Sequence, residues 1–293
     1  MYITDFNLHR PDNLEEACRI LDESPDGVLL AGGTDLLLDL KLGKRHHKDV
    51  ISLTRVTELQ SIKVENNKLV LGSGVSHNQI IESPVVREKW FALSEAAETI
   101  GTEQIRNTAT VGGNLCTAAS CADTAPILVA LGAEVEITST RGKRVLPLEA
   151  FFTDHRTTAL QKGDILSRIL VPVPAPGTGA CYKKFGLRGA ANISVASVAA
   201  MVQLHEGVCQ DARFVMGAVA PTPKVANKAG ELVKGKQATE LSDDAFLDQV
   251  GRAVSEEAEP IDDIRGSGSY RREVTGIQAR RAFAVALERA QRP

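Results

Sequence analysis

Two segments of the chain set adjacent glycines among polar neighbours: Ala31-Gly32-Gly33-Thr34-Asp35-Leu36 and Thr110-Val111-Gly112-Gly113-Asn114-Leu115. Glycine has no Cβ, so its amide can approach a phosphate oxygen closely and its backbone can turn through positive φ. A helix starting directly after such a turn adds free N–H groups and a favourable dipole. Thr34 offers a hydroxyl, and Asn114 can both donate and accept. Asp123, a little beyond the second segment, is of the type that accepts from a ribose hydroxyl. The same residue, ahead of Pro126, equally suits a helix N-cap. Each glycine pair alone also suits an ordinary strand-to-helix turn. Together they describe two amide cradles able to hold a diphosphate from both sides without lysine or arginine. Neither segment matches G-x-G-x-x-G or G-x-x-x-x-G-K-[ST], which disfavours nicotinamide-type Rossmann binding and NTP hydrolysis.

The flanking patterns supply the elements that must hold these segments. Pro11-Asp12-Asn13 can cap a helix whose Leu14, Ala17, Cys18 and Leu21 recur at helical spacing. The apolar run 28–31 enters the first glycine turn as a strand, a helix over 36–42 leaves it, and 50–53 forms another strand. Runs 62–65 and 68–71 alternate around Asn66-Asn67, the signature of a hairpin. Ser76 caps a helix containing Ile80 and Ile81, and a further helix over 92–100 ends at Gly101. The second glycine segment reads as a loop before an apolar helix over 124–131. Strands follow at 135–137 and 144–146. Pro172, Pro174 and Pro176 with Gly177 and Gly179 make a linker. Beyond it lie strand-like runs at 197–204 and 212–216, then helices near 225–233, 243–257 and 278–290. The fold class is α+β: a bipartite domain over 1–175, divided into about 1–55 and 56–175, and a sheet-with-helices domain over 176–293.

Composition closes several other readings. A net charge of -3 and a pI near 6.1 give no footprint for nucleic acid. No apolar run is long enough to span a membrane. Met1-Tyr2-Ile3-Thr4-Asp5 lacks the basic start of a secretory leader, which points to the cytoplasm. The 5 cysteines (Cys18, Cys116, Cys121, Cys181, Cys209) include no C-x-x-C and read as reduced thiols, with no metal site in this chain. His46 and His47, beside Lys44, Arg45 and Lys48, read as an exposed turn. Asp243-Asp244 and Asp262-Asp263 read as helix caps and solvated surface. Aromatics are only 4% of the chain, so aliphatic side chains are expected against any planar cofactor. Without a nucleophilic triad or metal cluster, a bound cofactor must carry the chemistry.

Several segments resemble the FAD-binding medium subunits of the xanthine dehydrogenase/carbon monoxide dehydrogenase family. Ala31 to Leu36 is similar to the family's first flavin motif. Gln104-Ile105-Arg106-Asn107, Ala109 to Asn114 and Ala122-Asp123-Thr124-Ala125-Pro126 resemble its second. Tyr182-x-Lys184-x-Gly186-x-Arg188 resembles the opening of its C-terminal domain, and 271–292 its last helix. The resemblance implies an FAD domain of the vanillyl-alcohol oxidase type followed by a C-terminal α+β domain. It implies that Gly32, Gly33, Thr34 and Asp35 hold the FAD diphosphate from one side, with Ala31 of the same motif also binding the cofactor, and Thr110, Gly112, Gly113 and Asn114 hold it from the other. It places Asp123 at the ribose or ribityl, Leu36 and Cys116 near the flavin, and Lys184 at its polar edge, where a solvated strand lysine is the alternative. Asn192 stands where some members carry an aromatic. The four-cysteine insertion of the hydroxybenzoyl-CoA reductase branch is missing, so no iron–sulfur cluster is expected in this chain.

By the same resemblance, the chain is the flavin-carrying electron-transfer subunit of a molybdenum hydroxylase. A large partner binds the molybdenum cofactor and a small partner the [2Fe–2S] clusters. Electrons reach FAD from those clusters and leave to an external acceptor. Two alternatives stay open at this point: a stand-alone flavin oxidase or reductase, and a non-catalytic scaffold subunit.

Overall fold

The computed structural model describes residues 5–189 and 191–292; Met1 to Thr4, on which the expectation about a leader rests, lie outside them. The first lobe comprises β1 (Asn7–His9), α1 (Leu14–Glu23), β2 (Gly27–Leu30), α2 (Leu36–Lys41) and β3 (Asp49–Ser52). The Asn13 side chain caps α1 by accepting from the Glu16 amide at 2.9 Å. The strands form a parallel sheet in the order β1-β3-β2, with Val50 and Ile51 of the central strand fully buried.

The second lobe opens with a hairpin of β4 (Ile62–Glu65) and β5 (Lys68–Gly72). Asn66 and Asn67 turn it at φ 49° and 59°, the positive pair that a two-residue turn requires. A run of short helices follows: α3 (His77–Glu82), α4 (Pro84–Lys89), α5 (Phe91–Glu98), α6 (Glu103–Thr108), α7 (Val111–Thr117) and α8 (Thr124–Ala130). Ser76 and Gln79 close a reciprocal capping box on α3. The chain then forms β6 (Glu134–Ser139), β7 (Gly142–Pro147), α9 (Leu148–Phe151), β8 (Phe152–Asp154), β9 (Thr157–Thr158) and β10 (Ile165–Pro172). A five-stranded antiparallel sheet runs β4-β5-β10-β6-β7. Its centre, β10, is a strand the sequence reading omits. A register shift between Leu166 and Arg168 breaks its alternation, and the run leads straight into the proline-rich linker.

The C-terminal domain pairs β11 (Thr178–Gly186), β12 (Ser194–His205), β13 (Val208–Gly217) and β14 (Lys224–Val225) in one antiparallel sheet. Helices α10 (Asn227–Val233), α11 (Ala238–Leu241), α12 (Asp244–Glu256) and α13 (Gly268–Ala290) cover it. Helix α13 begins at Gly268, capped by Ser267, rather than near 278. Its opening turns are polar, which hides them from an apolar-periodicity search. The expectation that Asp262 and Asp263 are caps and solvated surface is half right. Asp262 accepts from the Gly268 amide at 2.5 Å, whereas Asp263 joins Arg265 (2.6 Å) and the fully buried Arg271 (3.1 Å) in an ion cluster. Its carboxyl is held down at about 2, first by the Arg265 hydrogen bond. Arg271 ties this cluster to the sheet by donating to the carbonyls of Val195 and Ala218.

The two domains share a core. Every residue of α8 is buried, and Tyr182, Ala199 and Val215 of the C-terminal sheet belong to the same apolar cluster as the second lobe. Arg289 on α13 fixes the contact by gripping Glu95 of α5 through both η nitrogens at 2.7 Å, donating to the Ala180 carbonyl and lying over the Phe91 ring. No helix among the described residues is long and apolar enough to cross a membrane.

Candidate functional site

A cleft of about 790 Å³ opens where the two lobes meet the C-terminal domain. That size suits a cofactor-scale ligand. Ala31, Gly32, Gly33, Thr34, Asp35 and Leu36 line one wall; Thr110, Gly112, Gly113, Asn114, Cys116 and Asp123 line the other. Residues far apart in sequence are therefore brought face to face. A Cβ on Gly32 would lie 2.1 Å from the Thr108 carbonyl oxygen, so only glycine lets the first segment pass against the approach to the second. Thr117 Oγ1 donates to Asp35 Oδ2 at 3.3 Å across the same seam.

The first segment leaves its backbone donors unspent. Gly33 sits at φ 73° and turns the chain from β2 into α2. The amides of Gly32, Gly33, Thr34, Asp35 and Leu36 donate to no acceptor among the described residues. They are left for a ligand or water, as an N-terminal turn leaves its first donors.

The second segment does not. It is no loop: Val111 to Thr117 is helical, with Thr110 as N-cap. The Val111 amide donates to Val75 O at 2.9 Å, that of Gly112 to Ser73 O at 2.9 Å, and that of Gly113 to Thr110 Oγ1 at 3.0 Å. The expected second set of free amides is spent on the fold. Glycine at 112 serves close packing instead, since a Cβ there would meet Ser73 Cβ at 2.4 Å. On this wall Asn114 Oδ1 is held by the Thr124 hydroxyl at 2.8 Å. Cys116 is a neutral thiol, its pKa pushed up to about 12 by burial.

Asp123 sits at the N-cap position of α8 without capping it. Its buried carboxylate instead accepts from Tyr182 Oη and Ser194 Oγ at 2.7 Å on Oδ1, and from Lys184 Nζ at 2.7 Å on Oδ2. Burial, with the Asp123 charge behind it, pushes the Tyr182 phenol well above its usual range, so it remains a donor. Lys184 does not line the cleft. Its side chain, 7% exposed, is no solvated strand lysine either; it also donates to the carbonyls of Thr99 and Asn192 at 3.0 Å.

The cleft contains groups that the motifs did not flag. Arg45, paired with Asp39 at 3.4 Å, brings a guanidinium to the first wall, so the site is not free of cations as the sequence suggested. Its signal, a basic cluster after α2, was read only as an exposed turn. His77 is fully buried behind the second wall, and neither ring nitrogen has a partner. Desolvation, then Arg106, lowers its pKa to about 4. Asp164, also a lining residue, is clasped by Arg141 at 2.8 Å, Arg144 at 2.7 Å and the Gln161 amide at 2.7 Å. Burial alone would raise its pKa, but these hydrogen bonds outweigh it and lower it. His46 and His47 join no metal-ligating group, and none occurs among the described residues.

A two-lobed domain with an unengaged amide run in the lining of a cofactor-scale cleft suits a nucleotide cofactor, and comparison with known proteins assigns its class. Residues 4–174 match the family model described as the FAD binding domain in molybdopterin dehydrogenase, and residues 180–286 match the CO dehydrogenase flavoprotein C-terminal domain. The chain belongs to this family of FAD-binding subunits of molybdenum hydroxylases, which are oxidoreductases. It is 32% identical to the glyceraldehyde dehydrogenase medium chain of Sulfolobus acidocaldarius, over 97% of this chain and 99% of that one. It is 30% identical to the xanthine dehydrogenase FAD-binding subunit of Escherichia coli O157:H7, over 96% of each. Among solved structures, the carbon monoxide dehydrogenase of Hydrogenophaga pseudoflava, in a form lacking the Mo-pyranopterin moiety of its molybdenum cofactor, superposes with a TM-score of 0.93 at 29% identity, covering 99% of each chain.

Proposed function

We propose that this chain is the electron-transfer subunit of a heteromeric molybdenum hydroxylase, receiving electrons from a small [2Fe–2S] partner and delivering them to an external acceptor. The observation that carries the reading is the run of unengaged amides from Gly32 to Leu36, in residues that line the cleft. These donors fit one side of the FAD diphosphate, and Arg45 supplies a compensating charge. Thr110, Gly112, Gly113 and Asn114 shape the opposite wall, with Leu36 and Cys116 contributing uncharged surface for the ring system. FAD, when bound, supplies exchange between two-electron and one-electron chemistry. The chain's own part is to hold the nucleotide, exclude water and keep neutral groups at the ring. A substrate pocket on a separate, large molybdenum-binding subunit agrees with the relatives: proteins named for glyceraldehyde and for xanthine resemble this chain equally along its whole length. Five free cysteines favour a reducing, cytoplasmic setting.

Titrating FAD into the purified apoprotein, followed by flavin fluorescence, tests the cofactor assignment; one FAD per chain is expected, and a protein that stays colourless after reconstitution sinks it. Anaerobic mixing of the assembled complex with its reducing substrate tests the electron path. Flavin bleaching is expected with the small partner present, and bleaching by substrate of the isolated chain would favour a stand-alone enzyme.

A further inference from the structure

Lys184 is an expensive residue to bury. Its ammonium lies beside the cleft without reaching it, and its donors go to three places: Asp123 Oδ2 at 2.7 Å, Thr99 O at 3.0 Å and Asn192 O at 3.0 Å. Two acceptors belong to separate helix ends of the second lobe and the third to the C-terminal domain. Thr99 follows α5 in the second lobe. Asp123 leads into α8 and lines the cleft. Asn192 belongs to the connection between β11 and β12, of which Ala191, Asn192 and Ile193 form the C-terminal domain's contribution to the cleft wall. Among its described residues, no other hydrogen bond ties that connection to the body of the protein. Asn192 Nδ2 donates to Arg188 O at 2.5 Å within the connection itself, and Leu187 and Ile193 are exposed.

We propose that Lys184 is a positioning residue: its ammonium pins the 191–193 wall to Asp123 and to the second lobe, setting the shape of the cleft before any cofactor arrives. Asp123 is the anchor. Tyr182 and Ser194 hold its Oδ1, so Oδ2 is presented in one orientation to Lys184. The lysine thus acts on the ligand only through the Asn192 carbonyl and the Asp123 carboxylate. This rests on the reading of the cleft as the flavin-nucleotide site, but the pinning itself is a property of the apoprotein and is tested there.

The connection carries its own probe, since Arg188 is exposed and precedes Gly189. Full-length apoprotein is digested with an arginine-specific protease, and cleavage after Arg188 is followed by mass spectrometry beside cleavage at the other arginines. Lys184→Met keeps the volume and leaves Asp123 its two hydroxyl donors. It is expected to raise cleavage after Arg188 by about tenfold or more, through local opening, with little change elsewhere. Lys184→Arg is expected to restore protection. Asp123→Asn, which keeps the shape but removes the charge holding the lysine, is expected to act in the same direction. FAD affinity is measured in parallel. Unchanged protection at Arg188 in both Lys184→Met and Asp123→Asn overturns the proposal, as does a rise shared equally by all sites. A variant that loses FAD while keeping Arg188 protected would make Lys184 a direct ligand group and leave the flavin assignment standing.

Discussion

Gly32 to Leu36 line the cleft and leave their amides unengaged among the described residues, whereas Val111, Gly112 and Gly113 spend theirs on Val75, Ser73 and Thr110. The two segments share a double glycine, a threonine and a following polar residue, and they border the same space. One uses glycine to face outward; the other uses it to let a helix start press against β5 and its exit. The proposed diphosphate cradle is therefore one-sided in its backbone donors, with the second segment as its backstop. Glycine pairs report that the backbone must come close to something, and only the hydrogen-bond accounting says to what.

The sharpest way to break this contrast is a pair of alanine substitutions. Gly32→Ala pushes the open amides away from Thr108, and FAD affinity should fall by about a hundredfold, equivalent to 2–3 kcal/mol of overpacking. Gly112→Ala should instead lower the stability of the apoprotein by about 2–3 kcal/mol in a denaturant titration, since its Cβ meets Ser73. If both variants moved both readouts alike, the two segments would not differ in role.

His77 sharpens the comparison from behind the second wall. Its folded pKa of about 4 lies below the ordinary value of 6.5. Between those values the unfolded chain takes up a proton that the folded chain refuses, so stability falls as pH drops from 6.5 to 4 and levels off below. The loss should reach on the order of 3 kcal/mol. Denaturation midpoints across that range measure it, and His77→Phe should remove this part of the pH dependence. A slope unchanged in that variant would mean that other groups carry it.

The smallest effect is the cap. Thr110→Ala frees the Gly113 amide and should cost about 1 kcal/mol of stability, with Thr110→Ser recovering most of it. An FAD affinity that improved in Thr110→Ala, through the released donor, would show that the second segment can also serve as a cradle.

Local signals in the sequence located much of this. Asn13 and Ser76 mark helix starts because their caps lie within three residues, and Asn66-Asn67 marks a hairpin because the turn chemistry is contiguous. Both glycine segments and Asp123 were readable as bordering one site. What stayed hidden depends on distant partners. Lys184 finds Asp123 and Thr99 61 and 85 positions away, so its motif could mark it but could not name these partners. The helix over 111–117 begins with two poor helix formers, and only its tertiary partners Val75 and Ser73 make it hold. Strand β10 hides behind its own register shift.

The chain's one tryptophan occupies a position of practical value. Trp90 is buried within the second lobe, and its indole N–H donates at 2.9 Å to the carbonyl of Pro172, which ends β10 where the proline-rich linker begins. Tryptophan emission therefore arises from one buried indole, blue-shifted while the end of β10 stays packed against it. The same indole is an energy donor to a yellow chromophore, so loading of the cleft and seating of the linker can be watched in one cuvette without any label.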